Sequence, residues 1–184
     1  MKTKYIGLDV HKDSISVAIA NGTAGQEVRF YGKISSKLEA IKKLMGKLSK
    51  DGSHLKFCYE AGPTGYKICR QIRDAGYECM VVAPSMIPRK AGERVKTDRR
   101  DALTLARLFR AGELTGIKVP EEDLEALRDL SRGREDFKEQ QRIARQRLLS
   151  FLLRHGIVYE GKNWSQAHMN WLAKQSFSNP AQHI

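Results

Sequence analysis

The sequence predicts an α/β domain with five strands and flanking helices, followed by a long helical segment. Two observations predict it. The first half alternates short apolar runs with amphipathic stretches in the order strand, strand, strand, helix, strand, helix, strand. Beyond Pro120 the pattern changes to apolar residues spaced three and four apart over several turns. The first order is that of an α/β sheet, and the second is that of a coiled-coil seam.

Lys4 to Leu8 and the alternating Ile15, Val17 and Ile19 read as two strands around the polar turn His11-Lys12-Asp13-Ser14, hence a hairpin. Val28 to Ile34 is a third strand, set off by Asn21-Gly22 and Gly25. Leu38, Ile41, Leu44, Met45 and Leu48 lie at helical spacing with lysines on the other face, so 36–49 is a helix. Leu55 to Tyr59 is a fourth strand. Thr64 to Ala75 is a helix closed by Gly76, and Tyr77 to Ala83 is a fifth strand stopped by Pro84. Residues 85–97 are basic and interrupted by Pro88 and Gly92, which predicts a loop or short helix. A firm amphipathic helix follows over 98–111.

After Pro120, Glu121, Glu122 and Asp123 put carboxylates where a helix dipole favours them. Leu127, Leu130, Phe137, Ala144, Leu148 and Phe151 then form an imperfect heptad stripe weakened by Gly133. A helix of this kind cannot bury its stripe alone, so it calls for a partner chain or another domain. Gly156 ends it, and Trp164, His168 and Trp171 share one face of a further short helix, as packing anchors. The expected divisions are a domain over 1–115, a helical segment over 120–156, and a short helix over 157–184 that begins a linker to a further domain.

Composition narrows the function. The 184 residues carry 33 Lys+Arg against 21 Asp+Glu, a formal net charge of +12. Such an excess suits a polyanionic partner, nucleic acid before a membrane surface. No apolar run approaches the ~18 residues of a membrane span, and no signal-peptide core follows the N-terminus. Cys58, Cys69 and Cys79 make no C-x-x-C pair, so they read as small core residues in a reducing, cytoplasmic protein.

Against that basic background, four acids stand out. Asp9 ends one apolar strand and Glu60 ends another, so neighbouring strands would place both carboxylates in one region. Asp98 and Asp101 stand three apart at a helix start and share a face. Carboxylates held together repel unless a cation lies between them, and hard divalent ions prefer their oxygens. Four such groups could hold two ions roughly 4 Å apart, clamping the attacking and leaving oxygens of a phosphodiester. Each acid also has an ordinary role: Asp9 as a turn opener, Glu60 as a loop residue, Asp98 with Asp101 as a capping pair. Lys12, Lys96, Arg99 and Arg100 are the nearest cations for phosphate contacts. His11 shares a strand face with Asp9 if the strand continues, although a lone histidine is more often a satisfied surface or core residue.

Three stretches resemble the DEDD transposase family of the insertion-sequence-110 type, with its related DNA invertases. They are Ile6-Gly7-Leu8-Asp9-Val10-His11-Lys12, Tyr59-Glu60-Ala61-Gly62-Pro63-Thr64-Gly65-Tyr66 and Lys96-Thr97-Asp98-Arg99-Arg100-Asp101-Ala102. Leu127-Arg128-Asp129-Leu130 and Asn163-Trp164 through His168 to Trp171-Leu172 are similar to it as well. The resemblance implies an RNase H-like (RuvC-like) mixed sheet whose four acids, here Asp9, Glu60, Asp98 and Asp101, bind Mg²⁺ (or Mn²⁺). It implies cleavage and exchange of DNA at insertion-sequence ends and targets in a prokaryotic cell, at the nucleoid. Some family members are directed by a structured bridge RNA. The helical segment resembles the family's coiled-coil linker, which mediates homo-oligomer assembly. The family continues into a second domain carrying a serine held to attack DNA, and nothing here matches it; Ser165, Ser176 and Ser178 lie in the linker.

Two other functions fit parts of the pattern. A non-catalytic nucleic-acid-binding module would use the basic charge and leave the acids as caps. A sugar-kinase or actin-like ATPase also opens with a strand ending in Asp, but it holds phosphate in a Gly-rich turn, and here that turn is Val10-His11-Lys12-Asp13.

Overall fold

The computed structural model describes residues 2–23, 25–88, 97–177, 179 and 182. They divide into two compact units, Met1–Pro120 and Glu121–Ile184.

In the first unit, strands β1 (Thr3–Val10) and β2 (Ser14–Asn21) form an antiparallel hairpin registered from Lys4 with Asn21 to Val10 with Ile15. The amide of His11 donates to the Ser14 carbonyl at 2.9 Å and closes the turn. Strand β3 (Arg29–Ser35) adds antiparallel to β2, with a register shift beside Val17. Gly32, opposite Val17, takes φ +141°, a backbone that side chains disfavour and that a bulge can use. The chain then crosses over through helix α1 (Leu38–Leu48) to β4 (His54–Glu60), which lies parallel to β1. Helix α2 (Lys67–Asp74) leads to β5 (Glu78–Val82), parallel to β4. The order β3-β2-β1-β4-β5 makes a mixed five-stranded, RNase H-like sheet. A 3₁₀ turn, Pro84–Met86, precedes helix α3 (Asp98–Ala111).

Period-2 alternation explains how the sheet is covered. Ile6, Leu8, Ile15, Val17, Ile19, Phe57 and Tyr59 face Ile41, Leu44 and Met45 of α1 and Ile68 and Ile72 of α2. The other face is built small: Ala18 and Ala20 meet Ala102 and Ala106 of α3, and Cys58 and Val82 meet Leu105 and Leu108. Small residues there let α3 approach the sheet closely. All three cysteines are free and buried.

Local details differ from the sequence expectations. Strand β1 continues through Asp9 to Val10, because Ser16 and Ile15 keep pairing with it. Helix α2 starts at Lys67, three residues later than Thr64. Gly65, at φ +66°, instead closes a turn whose amide donates to the Gly62 carbonyl at 3.1 Å. Most of the basic loop, including Lys96, lies outside the described residues.

The second unit is helix α4 (Glu122–Arg154), 33 residues long, and helix α5 (Gln166–Leu172). Glycine mid-helix costs about 1 kcal/mol relative to alanine, yet α4 runs through Gly133 without a break. The Ser165 hydroxyl caps α5 by accepting from the His168 amide at 3.2 Å. His168 is fully buried, flanked by the rings of Tyr159, Trp164 and Trp171. Its Nδ1 accepts from the Trp164 amide at 2.8 Å, holding Trp164 at φ +63°.

Candidate metal centre

Two segments distant in sequence, the start of α3 and the end of β1, meet here. Asp9 occupies the penultimate position of that strand, and its side chain is 14% exposed. His11 follows two residues later, with Nε2 3.0 Å from Asp9 Oδ2. Asp98 opens α3. The Thr97 hydroxyl caps that helix by accepting from the Arg100 amide at 3.4 Å, which puts Asp98 and Asp101 in the first turn. The same His11 Nε2 lies 3.4 Å from Asp98 Oδ1. Ligand atoms of Asp9, His11 and Asp98 all fall within 4.8 Å of one another.

Electrostatics explains why two carboxylates tolerate this proximity. The Lys33 ammonium, reaching over from β3, donates to Asp98 Oδ2 at 3.0 Å. That hydrogen bond and charge, with His11 adding to them, hold the Asp98 carboxyl below the usual carboxylate range. His11 meanwhile places one ring nitrogen between two carboxylate oxygens, where a cation would also be drawn. The donors fit a hard divalent ion: carboxylate oxygens with an imidazole nitrogen beside them, opening on a groove.

Glu60 ends β4, next to β1 in the sheet, and it lines the same groove of about 890 Å³ as Asp9, His11 and Lys12. Its carboxylate is outside the close group, and so is that of Asp101, three residues beyond Asp98. The structure therefore brings Asp9 and Asp98 together, puts Glu60 on the groove that Asp9 and His11 line, and leaves Asp101 further along α3. Arg99 lies over the Phe30 ring at 5.3 Å, and Lys12 and Arg100 are exposed.

Sequence reasoning gave His11 no part in the site. A shared face with Asp9 was expected only if the strand continued to His11, and β1 ends one residue before it, at Val10. Lys33 carried no signal, because only the fold brings it to a partner 65 residues away. Among the described residues no helix is long and apolar enough to cross a membrane.

Comparison with known proteins places the chain. The RuvC structure of Thermus thermophilus aligns with 62% of this chain and 100% of its own, at 12% identity and a TM-score of 0.42. The large terminase nuclease of phage G20c aligns with 61% of this chain and 56% of its own, at 15% identity and a TM-score of 0.37. In sequence, y4qE of Sinorhizobium fredii, a protein named as a transposase, is 48% identical over 181 residues, which are 98% of this chain and 46% of that protein. The transposase for insertion sequence element IS1533 of Leptospira borgpetersenii is 39% identical over 184 residues, 97% of this chain and 53% of its own. This chain thus spans about half the length of the curated relatives it matches. A family model described as a transposase matches residues 6–157. The chain belongs to the DEDD transposase family of the insertion-sequence-110 type.

Proposed function

We propose that this chain supplies the divalent-metal centre with which a transposase cleaves and exchanges DNA strands at insertion-sequence ends and targets. The convergence of Asp9 and Asp98 on one imidazole nitrogen, from β1 and α3, is the observation that carries this reading. Asp9 and Asp98 would hold Mg²⁺ or Mn²⁺, joined by Glu60 from β4 and Asp101 from α3. The bound ion would supply Lewis-acid stabilisation of charge on the phosphodiester oxygens.

The chain's own residues do the rest. Lys33 fixes one Asp98 oxygen and leaves the other 3.4 Å from His11 Nε2. His11 holds the two carboxylates together through Nε2 and is the group an arriving ion would displace or recruit. Lys12, Lys96, Arg99 and Arg100 supply positive charge for the DNA backbone. Assembly of copies through α4 belongs to the same reading, since its Leu127, Leu130 and Phe137 are 61%, 71% and 73% exposed. Direction of the DNA choice by a bridge RNA belongs to it through the family resemblance.

Metal titration followed by thermal melting tests the centre. Mg²⁺ or Mn²⁺ should raise the melting temperature of the wild type and leave that of an Asp9→Asn, Asp98→Asn variant unmoved. A wild-type protein indifferent to both ions would remove the basis for metal-dependent chemistry. DNA binding retained alongside that indifference would instead favour the module whose acids serve only as caps.

A further inference from the structure

The groove at the metal centre carries a second set of charges. β1, β3 and β4 run in the same direction, because β2 is antiparallel to both β1 and β3 and β4 is parallel to β1. Their carboxyl ends therefore share one edge of the sheet, the side on which open α/β sheets bind ligands. The segment after each strand contributes one lysine to the groove wall: Lys12 after β1, Lys37 after β3, Lys67 after β4. All three are exposed, and none makes a side-chain ion pair or hydrogen bond among the described residues. Three other lysines of this unit are paired, Lys4 with Asp51, Lys33 with Asp98 and Lys56 with Glu78, whereas Lys42 and Lys43 of α1 are exposed like those of the groove but lie outside it. The first turns of α1 and α2 open on the same groove, and neither has a side-chain cap, so they add partial positive charge.

The rest of the lining says what kind of anion fits. Val10, Leu38, Pro63 and Ile68 supply apolar walls, and among the described residues no Phe, Tyr or Trp lines the groove. Contacts here would be to sugar and phosphate, which position a strand without reading its sequence. The two carboxylates of the lining, Asp9 and Glu60, end neighbouring strands within this wall of lysines.

We infer that this groove is the path of the DNA strand leading to the metal centre, with Lys37 and Lys67 neutralising phosphates that flank the one to be cut. The inference rests on the proposed metal-dependent DNA chemistry and adds the direction from which the strand arrives.

Binding of a labelled single-stranded DNA oligonucleotide, measured against salt concentration without metal, tests it. Each lost phosphate contact on a single strand lowers the salt slope by about 0.7. A Lys37→Gln, Lys67→Gln variant should therefore show a slope smaller by about 1.4 and weaker binding at every salt. A Lys42→Gln, Lys43→Gln variant removes equal charge from exposed positions of α1 outside the groove and should keep the wild-type slope. Equal slopes in the groove variant and the wild type overturn the inference, and so does an equal loss in the two variants. It is also overturned if an RNA strand or a nucleoside triphosphate loses affinity in the groove variant while the DNA strand does not. Melting with Mg²⁺ separates the two proposals. The groove variant should keep its metal-induced shift, so a failed salt slope with an intact metal shift rejects the strand path alone.

Discussion

Gly7 of β1 lies directly against the backbone of Ala106 in α3: a Cβ on Gly7 would stand 2.5 Å from the Ala106 amide nitrogen and would also meet the Ala102 carbonyl. Glycine is required here by close approach, since its backbone angle is not among the positive-φ glycines. The contact sets the spacing of the candidate centre. Gly7 is two residues before Asp9, and Ala102 is one turn after Asp98, so the strand and helix that carry the two acids touch where neither has a side chain to spare.

Gly7→Ala should therefore push α3 off the sheet. Overpacking of this kind costs about 1–3 kcal/mol, readable by chemical denaturation. The same variant should lose its Mg²⁺-induced rise in melting temperature even though every acid is intact. A Gly7→Ala protein with both wild-type stability and a wild-type metal shift would show that the close packing does not position Asp98.

Lys33 and Asp98 make a separate forecast. The ammonium holds this carboxyl low by hydrogen bond and charge. Lys33→Met should let Asp98 titrate at a higher pH, toward the ordinary carboxylate value of about 3.9. Carboxyl-carbon NMR shifts followed against pH would show it. An Asp98 titration that stays where it is in the wild type would mean that the ion pair at 3.0 Å does not persist in solution.

Asp51 supplies the pH dependence of stability. Lys4 at the start of β1 donates to both Asp51 oxygens, at 2.9 and 2.8 Å, and also to the Leu48 carbonyl at 2.8 Å. The Lys4 hydrogen bond, with the Ser53 amide, pushes the Asp51 carboxyl well below its ordinary range. A depressed folded-state carboxyl stabilises the protein at pH values above its unfolded pKa of about 3.9 and loses that contribution as pH falls toward the folded value. Asp51→Asn should accordingly melt below the wild type at pH 7. The gap should narrow as pH drops below about 4. A gap that is constant between pH 7 and pH 3 would assign the effect to packing and not to charge.

Much of the fold was legible from period alone. Five strands and three helices of the first unit follow from alternation over Ile15, Val17 and Ile19 and from helical spacing over Ile41, Leu44 and Met45, because the burial that selects those residues repeats along the chain. Boundaries were less legible. The sequence of Thr64-Gly65-Tyr66 reads as helix, but hydrogen bonding back to Gly62 makes it a turn, a choice between two local structures that spacing does not encode.

The sequence by itself determined the sheet with its flanking helices, the long α4 with its unpaired apolar stripe, the excess positive charge and the family. Tertiary structure alone decided which charged groups meet. His11 and Lys33 join Asp98 only because β1, β3 and α3 converge, and Glu60 reaches the groove but not the close cluster. The physical reason is range. Secondary structure answers to neighbours a few residues away, whereas a cation-binding cluster depends on angstrom-scale distances between residues as many as 89 positions apart, set here by how closely a glycine on β1 lets α3 approach.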